Sequence, residues 1–75
     1  MSEIVRIVIQ PDYDRAESSG AEGMFQVITV YGYNADDEGF DLTHKIDQGA
    51  FFRTGKGAAK KLGFIPEEID IELED

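Results

Sequence analysis

Four segments of the chain have the composition of β-strands, and two of them alternate apolar and polar side chains with a period of two, which is the pattern of a strand with one buried face. The strictest alternation runs from Glu68 to Glu74, where Ile69, Ile71 and Leu73 are separated by carboxylates. The other three segments span residues 3–10, 24–33 and 40–46 and are rich in β-branched and aromatic residues. The sequence therefore predicts four strands, and the outer face of the last one is acidic.

The same period predicts which side chains share a face in the first two strands. In the first strand, one face is expected to hold Val5, Ile7 and Ile9, and the other, half-apolar face to hold Ile4, Arg6, Val8 and Gln10. In the second strand, one face is expected to hold Phe25, Val27, Thr29, Tyr31 and Tyr33.

The segments between these strands differ in character. Residues 34–39, Asn-Ala-Asp-Asp-Glu-Gly, favour a turn, so we expect strands two and three to form a hairpin. Residues 11–23 have no period and are rich in Asp, Glu, Ser and Gly, so we predict a flexible loop there.

Apolar and small residues recur at helical spacing in residues 48–62, which predicts a helix there. The residues that fall on one helical face are Phe51, Gly55, Ala58 and Leu62. Asp47 is placed to cap the start of this helix, and Gly63 stands where a helix usually ends.

The two glycines inside this segment leave a second interpretation open. Gly55 and Gly57 each cost a helix up to about 1 kcal/mol relative to Ala. The alternative is a shorter helix that Thr54 caps and that begins at Gly55.

The predicted order is therefore β-β-β-α-β. We expect a small single α+β domain of residues 1–75, in which one helix packs on one face of a mostly antiparallel, four-stranded sheet.

A domain of this size buries only about 60% of the surface of its unfolded chain, so small domains often add a disulfide, a metal or a partner. The chain contains no Cys, which excludes disulfides and zinc-thiolate sites. Oligomerisation stays open.

The charge of the chain limits its partners. It has 16 acidic and 7 basic side chains, for a formal charge of −9. This charge opposes direct binding to DNA or to an anionic membrane, and it favours basic partners. No apolar run approaches the roughly 20 residues that span a membrane, and the start Met-Ser-Glu is not that of a signal peptide. We expect a cytoplasmic protein.

Two patterns are similar to ligand-binding motifs but fail on spacing. A phosphate loop needs four residues between its glycines and Ser or Thr after its Lys, whereas five residues separate Gly49 from Gly55, and Gly follows Lys56. Residues 34–41 are similar to the first half of a calcium loop. A complete loop that begins at Asn34 would have Lys45 where a bidentate Glu is required. We therefore expect no metal and no other cofactor.

The single histidine gives no catalytic pattern either. His44 shares its predicted strand face with Phe40, Leu42 and Ile46, so we expect it to be packed. It has no second His or Cys with which to bind a metal, and no Ser or Thr stands at a spacing that selects a triad. An enzyme is therefore the least favoured class.

Four of the seven basic residues lie within nine positions that contain no acid: Arg53, Lys56, Lys60 and Lys61. Lysines near the end of a helix are favoured by its dipole, so a solvated helix face explains this cluster. A contact to RNA or phosphate is the alternative. The rest of the chain is strongly negative and would repel such a ligand, so a small RNA-binding protein is a secondary hypothesis.

The acidic residues are the most informative feature. In a strand, Glu68, Asp70, Glu72 and Glu74 form a row in which neighbours lie about 6.6–6.8 Å apart. This is close to the spacing of successive phosphates along a nucleic-acid strand, so the row could occupy a groove built for a phosphate backbone. The turn residues Asp36, Asp37 and Glu38 would extend this surface if the fold brings them near. The alternative is an edge strand whose charges prevent sheets from joining.

A small, acidic, Cys-free domain resembles in composition the inhibitor proteins of phages and other mobile elements, which include nucleic-acid mimics and anti-CRISPR proteins. The resemblance implies a non-enzymatic protein that blocks a basic, nucleic-acid-binding surface of a host protein. A homodimeric structural or accessory module is the main alternative, in which edge strands or the outer face of Ile4 and Val8 pair between copies.

Overall fold

The computed structural model describes residues 3–14, 20 and 23–74 of the 75-residue chain. Its elements follow the predicted order β-β-β-α-β. They are β1 (Ile4–Asp12), β2 (Gln26–Asn34), β3 (Gly39–Asp41), α1 (Gly55–Lys61) and β4 (Asp70–Leu73), with 3-10 helices at Thr43–Lys45 and Pro66–Glu68. The predicted loop at residues 11–23 lies largely outside the described residues. Its start is wrong, because Pro11 and Asp12 belong to β1 and Tyr13 and Asp14 are helical. Within the described ranges, no helix is long and apolar enough to cross a membrane.

The strands form one sheet in the order β3-β2-β1-β4. β1 pairs with β2 and β2 with β3 in antiparallel fashion, whereas β1 and β4 are parallel. The predicted hairpin and the mostly antiparallel, four-stranded sheet are therefore confirmed. Within the part of the chain that the structure describes, β4 is an edge strand, because β1 is its only neighbour in the sheet.

The core lies between α1 and one face of the sheet. Ile7, Ile9 and Val30 are fully buried on that face, and Ala58 and Ala59 of α1 are fully buried against it. The two alanines let the helix approach the sheet closely, because they carry no side chain beyond Cβ.

The pairing of β1 with β2 shifts register twice, and the first shift lies between Ile4 and Arg6. The intervening residue, Val5, is exposed, whereas Ile4 packs against the core. The predicted faces of these two residues are therefore wrong, because a bulge of one residue moves the alternation by one position.

The second shift changes the faces of β2. Gln10 pairs with Thr29 but Pro11 pairs with Val27, so Ile28 is an extra residue on β2. The prediction that five residues share one face of this strand is wrong for the same reason. Phe25 and Val27 face the core, whereas Thr29, Tyr31 and Tyr33 lie on the opposite face.

The third strand of the structure is shorter than the predicted strand of residues 40–46. β3 ends at Asp41, whose Oδ1 accepts a hydrogen bond of 2.9 Å from the backbone N–H of Thr43. The hydroxyl of Thr43 in turn accepts a hydrogen bond of 3.0 Å from the N–H of Val30, so the chain turns into a 3-10 helix. The prediction that His44 is packed is wrong, because the 3-10 helix leaves it exposed.

α1 begins at Gly55, so the shorter of the two predicted helices is correct and a continuous helix from residue 48 is wrong. Thr54 Oγ1 caps it by accepting a hydrogen bond of 3.2 Å from the N–H of Gly57. Gly63 follows the helix in the left-handed region, with a φ of 94°, as predicted for a helix end.

The segment before Thr54 is extended because it is bonded to the sheet. The N–H and C=O of Phe52 pair with those of Phe25 at 2.9 and 2.8 Å, and their rings lie 6.2 Å apart. Asp47 does not cap the helix, since its Oδ1 accepts the N–H of Gly49 in a separate turn.

Gly55 is required where α1 meets β4. A Cβ at Gly55 would lie 2.7 Å from Cγ2 of Ile71 and 3.4 Å from Cδ2 of Leu73. A Cβ at Gly57 would meet its nearest neighbours at 3.7 and 3.9 Å, which are ordinary contacts.

We therefore expect Gly55→Ala to lower the free energy of unfolding by about 1–3 kcal/mol, although Ala favours helices, because the added methyl group overpacks the contact with β4. The matched control Gly57→Ala should leave the free energy unchanged or raise it by up to about 1 kcal/mol. Urea denaturation of both variants measures the difference. Equal values for the two would contradict the close approach of α1 to β4.

Candidate binding surface

The sheet face opposite α1 is called the open face here. It is formed by Arg6, Val8 and Gln10 of β1, Thr29, Tyr31 and Tyr33 of β2, Asp41 of β3, and Asp70 and Glu72 of β4. Tyr31 is 40% exposed, whereas Val8 and Tyr33 are half-buried. The open face therefore combines an aromatic and apolar centre with carboxylates at both edges.

Arg6 lies between two acidic elements. Its Nη1 is 3.4 Å from Oε2 of Glu72 on β4, and its Nη2 is 3.2 Å from Oδ1 of Asp37 in the β2–β3 turn. Its guanidinium also lies 4.3 Å from the ring centroid of Tyr33. Each exposed ion pair contributes at most about 1 kcal/mol, but together they join the turn and the edge strand in one surface.

The turn holds its carboxylates in defined positions through Asn34. The buried Oδ1 of Asn34 accepts hydrogen bonds of 3.0 Å from the backbone N–H groups of Asp36 and Glu38. Its Nδ2 donates to Oε1 of Glu38, also at 3.0 Å, and Asp37 has a φ of 66°. The amide oxygen of Asn34 thus organises the turn, and Asp36, Asp37 and Glu38 are exposed to solvent.

The opposite flank of the open face is the edge strand β4. Asp70 and Glu72 point to this face, and both are exposed. Glu74 continues the ladder beyond β4, since its N–H donates to the carbonyl of Ile9 at 2.8 Å. By the alternation of a strand, these three carboxylates form a row with a spacing of about 6.6–6.8 Å.

Glu68 does not belong to this row. It lies in the 3-10 helix Pro66–Glu68, and its N–H donates to the carbonyl of Ile65 at 3.0 Å. Pro66 explains the difference, because its fixed φ favours the start of a helical turn. The predicted row of four carboxylates therefore has three members.

Asp41 adds a carboxylate at the β3 edge. Hydrogen bonds from Thr43 hold the pKa of Asp41 below the ordinary value of 3.8. The bond from its backbone N–H has the larger effect and the bond from its side chain the smaller one, and the nearby His44 lowers the pKa further. Asp41 therefore stays ionised in acid where an ordinary carboxyl begins to take up a proton.

The basic cluster is divided by the start of the helix. Lys56, Lys60 and Lys61 are exposed on α1, whereas Arg53 precedes the cap and is not on the helix. The expectation that Arg53 shares a helix face with the lysines is therefore wrong.

The predicted apolar outer face of β1 does not form. Ile4 packs against the core, whereas Val8 lies on the open face, because the first bulge separates them. A patch made of these two residues is thus not present for pairing between copies. Among residues 3–14, 20 and 23–74, no three His, Asp or Glu side chains are grouped so that they could hold a metal ion.

No protein-family model matches the sequence, and no curated protein or solved structure matches it. What the open face could bind therefore has to be inferred from its geometry and charge.

We expect Asp41 to titrate below its ordinary pKa in the folded protein. A carboxyl whose pKa is lowered by folding stabilises the fold above its unfolded pKa, and this contribution is lost as the pH falls through the folded value. Asp41→Ala should therefore lower the free energy of unfolding at about pH 7 and much less at about pH 2. Denaturation at both pH values, with an NMR titration of the wild type, measures this. An equal loss at both would contradict stabilisation by the carboxylate.

Proposed function

We propose that this protein is a non-enzymatic, cytoplasmic binding protein that blocks a basic, nucleic-acid-binding surface of another protein. In this proposal the open face docks where the nucleic acid would otherwise bind. The observation that supports it is the bridge of Arg6, which joins an acidic turn and an acidic edge strand on one face of the sheet.

The charge of this surface fits a basic partner. The open face and its two flanks carry the guanidinium of Arg6 and seven carboxylates, those of Asp36, Asp37, Glu38, Asp41, Asp70, Glu72 and Glu74. A concentration of one sign of charge accelerates the encounter with a surface of the opposite sign and makes it sensitive to salt. The same charge repels nucleic acid itself.

The geometry also fits a surface shaped for a phosphate backbone. Asp70, Glu72 and Glu74 follow one another along a strand at nearly the spacing of phosphates in a nucleic acid. Pairing with β1 fixes the backbone of this row, and the ion pair with Arg6 orients the side chain of Glu72.

The centre of the open face would supply contacts that do not depend on charge. Tyr31 is substantially exposed and lies beside Val8 of the neighbouring strand. Tyrosine is enriched at protein interfaces, where a large ring contributes contact area at a low cost in entropy. An apolar centre inside a charged rim is the usual arrangement of a specific protein interface.

A pair of triple variants tests this proposal. Asp70→Asn/Glu72→Gln/Glu74→Gln neutralises the row on β4, and the control Asp14→Asn/Glu67→Gln/Glu68→Gln neutralises three acids elsewhere. Both change the formal charge from −9 to −6. Each would be immobilised and exposed to a lysate of the host, and the bound proteins would be identified by mass spectrometry after circular dichroism has shown that both variants fold.

We expect the wild type and the control to capture the same nucleic-acid-binding protein, and the β4 variant to capture at least about tenfold less. Added double-stranded DNA or RNA should compete with the capture, and salt at about 0.5 M should abolish it, because exposed charges are screened within a few ångströms at that concentration. Equal capture by both triple variants, or capture that persists unchanged in high salt, would refute the proposal.

A further inference from the structure

The free edge of β4 offers backbone groups that no strand of the described sheet uses. Glu74 donates its N–H to Ile9 of β1. Because the N–H and C=O groups of successive residues in a strand point to opposite sides, those of Ile71 and Leu73 point away from β1. β4 is the last strand on this side of the sheet, so these groups face outward.

A groove lies next to this edge, between α1 and β4. Its volume is about 500 Å³. Pro66, Ile69, Ile71 and Leu73 give it an apolar floor. Lys56 lines it on the α1 side, and Asp70 lines it on the β4 side. Leu73 is 41% exposed there.

We propose that β4 binds an extended segment of a protein partner by strand addition, and that this segment alternates basic and apolar residues. The added strand would pair with the free backbone groups of Ile71 and Leu73. Its basic side chains would lie on the open face beside Asp70, Glu72 and Glu74, and its apolar side chains would fill the groove. This inference rests on the proposed function and specifies the part of the partner that is recognised.

Charge selects this occupant over a second copy of the chain. If β4 paired with β4 of another copy, the carboxylates of both strands would lie side by side on one face, and like charges in cross-strand positions are destabilising. A strand with basic residues in those positions would instead form opposite-charge pairs with all three carboxylates.

The groove and the open face favour different side chains. Lys56 and Asp70 both line the groove, so their charges offset each other there, and its apolar floor favours apolar side chains. The carboxylates of the β4 row favour basic residues on the open face. Since side chains alternate along a strand, the partner segment has to alternate in the same way.

The test uses a short peptide that alternates lysine and valine, and a second peptide of identical composition in which the lysines and valines form separate blocks. Their affinities would be measured by fluorescence anisotropy for the wild type, Leu73→Pro and Leu73→Ala. Proline removes the outward N–H of Leu73 without breaking the ladder to β1, and edge strands tolerate it. Alanine removes the same side chain but keeps the N–H.

We expect the alternating peptide to bind the wild type more tightly than the block peptide. Leu73→Pro should weaken it by about two- to tenfold more than Leu73→Ala does, because the one hydrogen bond lost to a bound strand costs severalfold in affinity. Equal binding of the two peptides, or equal affinities of the two variants, would overturn strand addition. Either result would leave electrostatic docking of the open face intact, because neither variant changes a charge.

Amide hydrogen exchange of the wild type gives a second measurement that does not depend on the folding of a variant. Saturation with the alternating peptide should protect the N–H groups of Ile71 and Leu73, which a peptide held by charge alone would leave exchanging freely. Unchanged exchange at saturation, or no binding, would overturn the inference. If light scattering detects a dimer that the Leu73→Pro substitution abolishes, the edge of β4 pairs with a second copy of the chain. That result would also overturn the inference. The lysate experiment tests the proposed function separately, since its variants alter charge and leave the edge intact.

Discussion

The two bulges in the pairing of β1 with β2 determine what each face of the sheet carries. Side chains alternate along a strand, so each extra residue transfers all the residues beyond it to the other face. The bulge at Ile28 turns Tyr31 and Tyr33 away from the core and brings Val30 into it. Tyr33 thereby lies beside Arg6, which is held between the turn and β4. The open face depends on this register, because a regular ladder would have buried the two tyrosines.

Among the described residues, one short helix covers one face of the sheet. A helix of seven residues reaches the sheet through Gly55, Ala58 and Ala59, and small residues are what such a close approach needs. The other face meets water, as antiparallel sheets allow, so its side chains are polar or only half-buried. The carboxylates gathered there repel one another, and Arg6 offsets part of that repulsion by pairing with two of them. A fold with one covered face thus leaves a broad, charged surface available for binding.

The sequence predicted the elements that depend on local pattern and missed those that depend on distant contacts. The element order, the hairpin, the acidic edge strand and the cap at Thr54 follow from periodicity and from residues with fixed turn and cap preferences. The faces of β2 could not be predicted, because a bulge arises from the match of two strands. The bridge of Arg6 joins residues 31 and 66 positions away, and nothing in the local sequence marks such a contact. The length of β3 was missed because Asp41 accepts a hydrogen bond from the N–H of Thr43, and the Thr43 hydroxyl accepts one from the N–H of Val30, so the chain turns away from the ladder.

Protection of a sheet edge explains only part of the acidic surface. Carboxylates on β4 discourage pairing with another sheet, and this role needs no other acidic residue nearby. Asp36, Asp37 and Glu38 lie in a turn, where no run of free strand backbone needs protection, yet Arg6 connects that turn to β4. Edge protection by charge is also selective, since it repels acidic strands but attracts basic ones. The carboxylates that keep two copies apart are therefore the same groups that would draw in a basic partner, and the two roles reinforce each other.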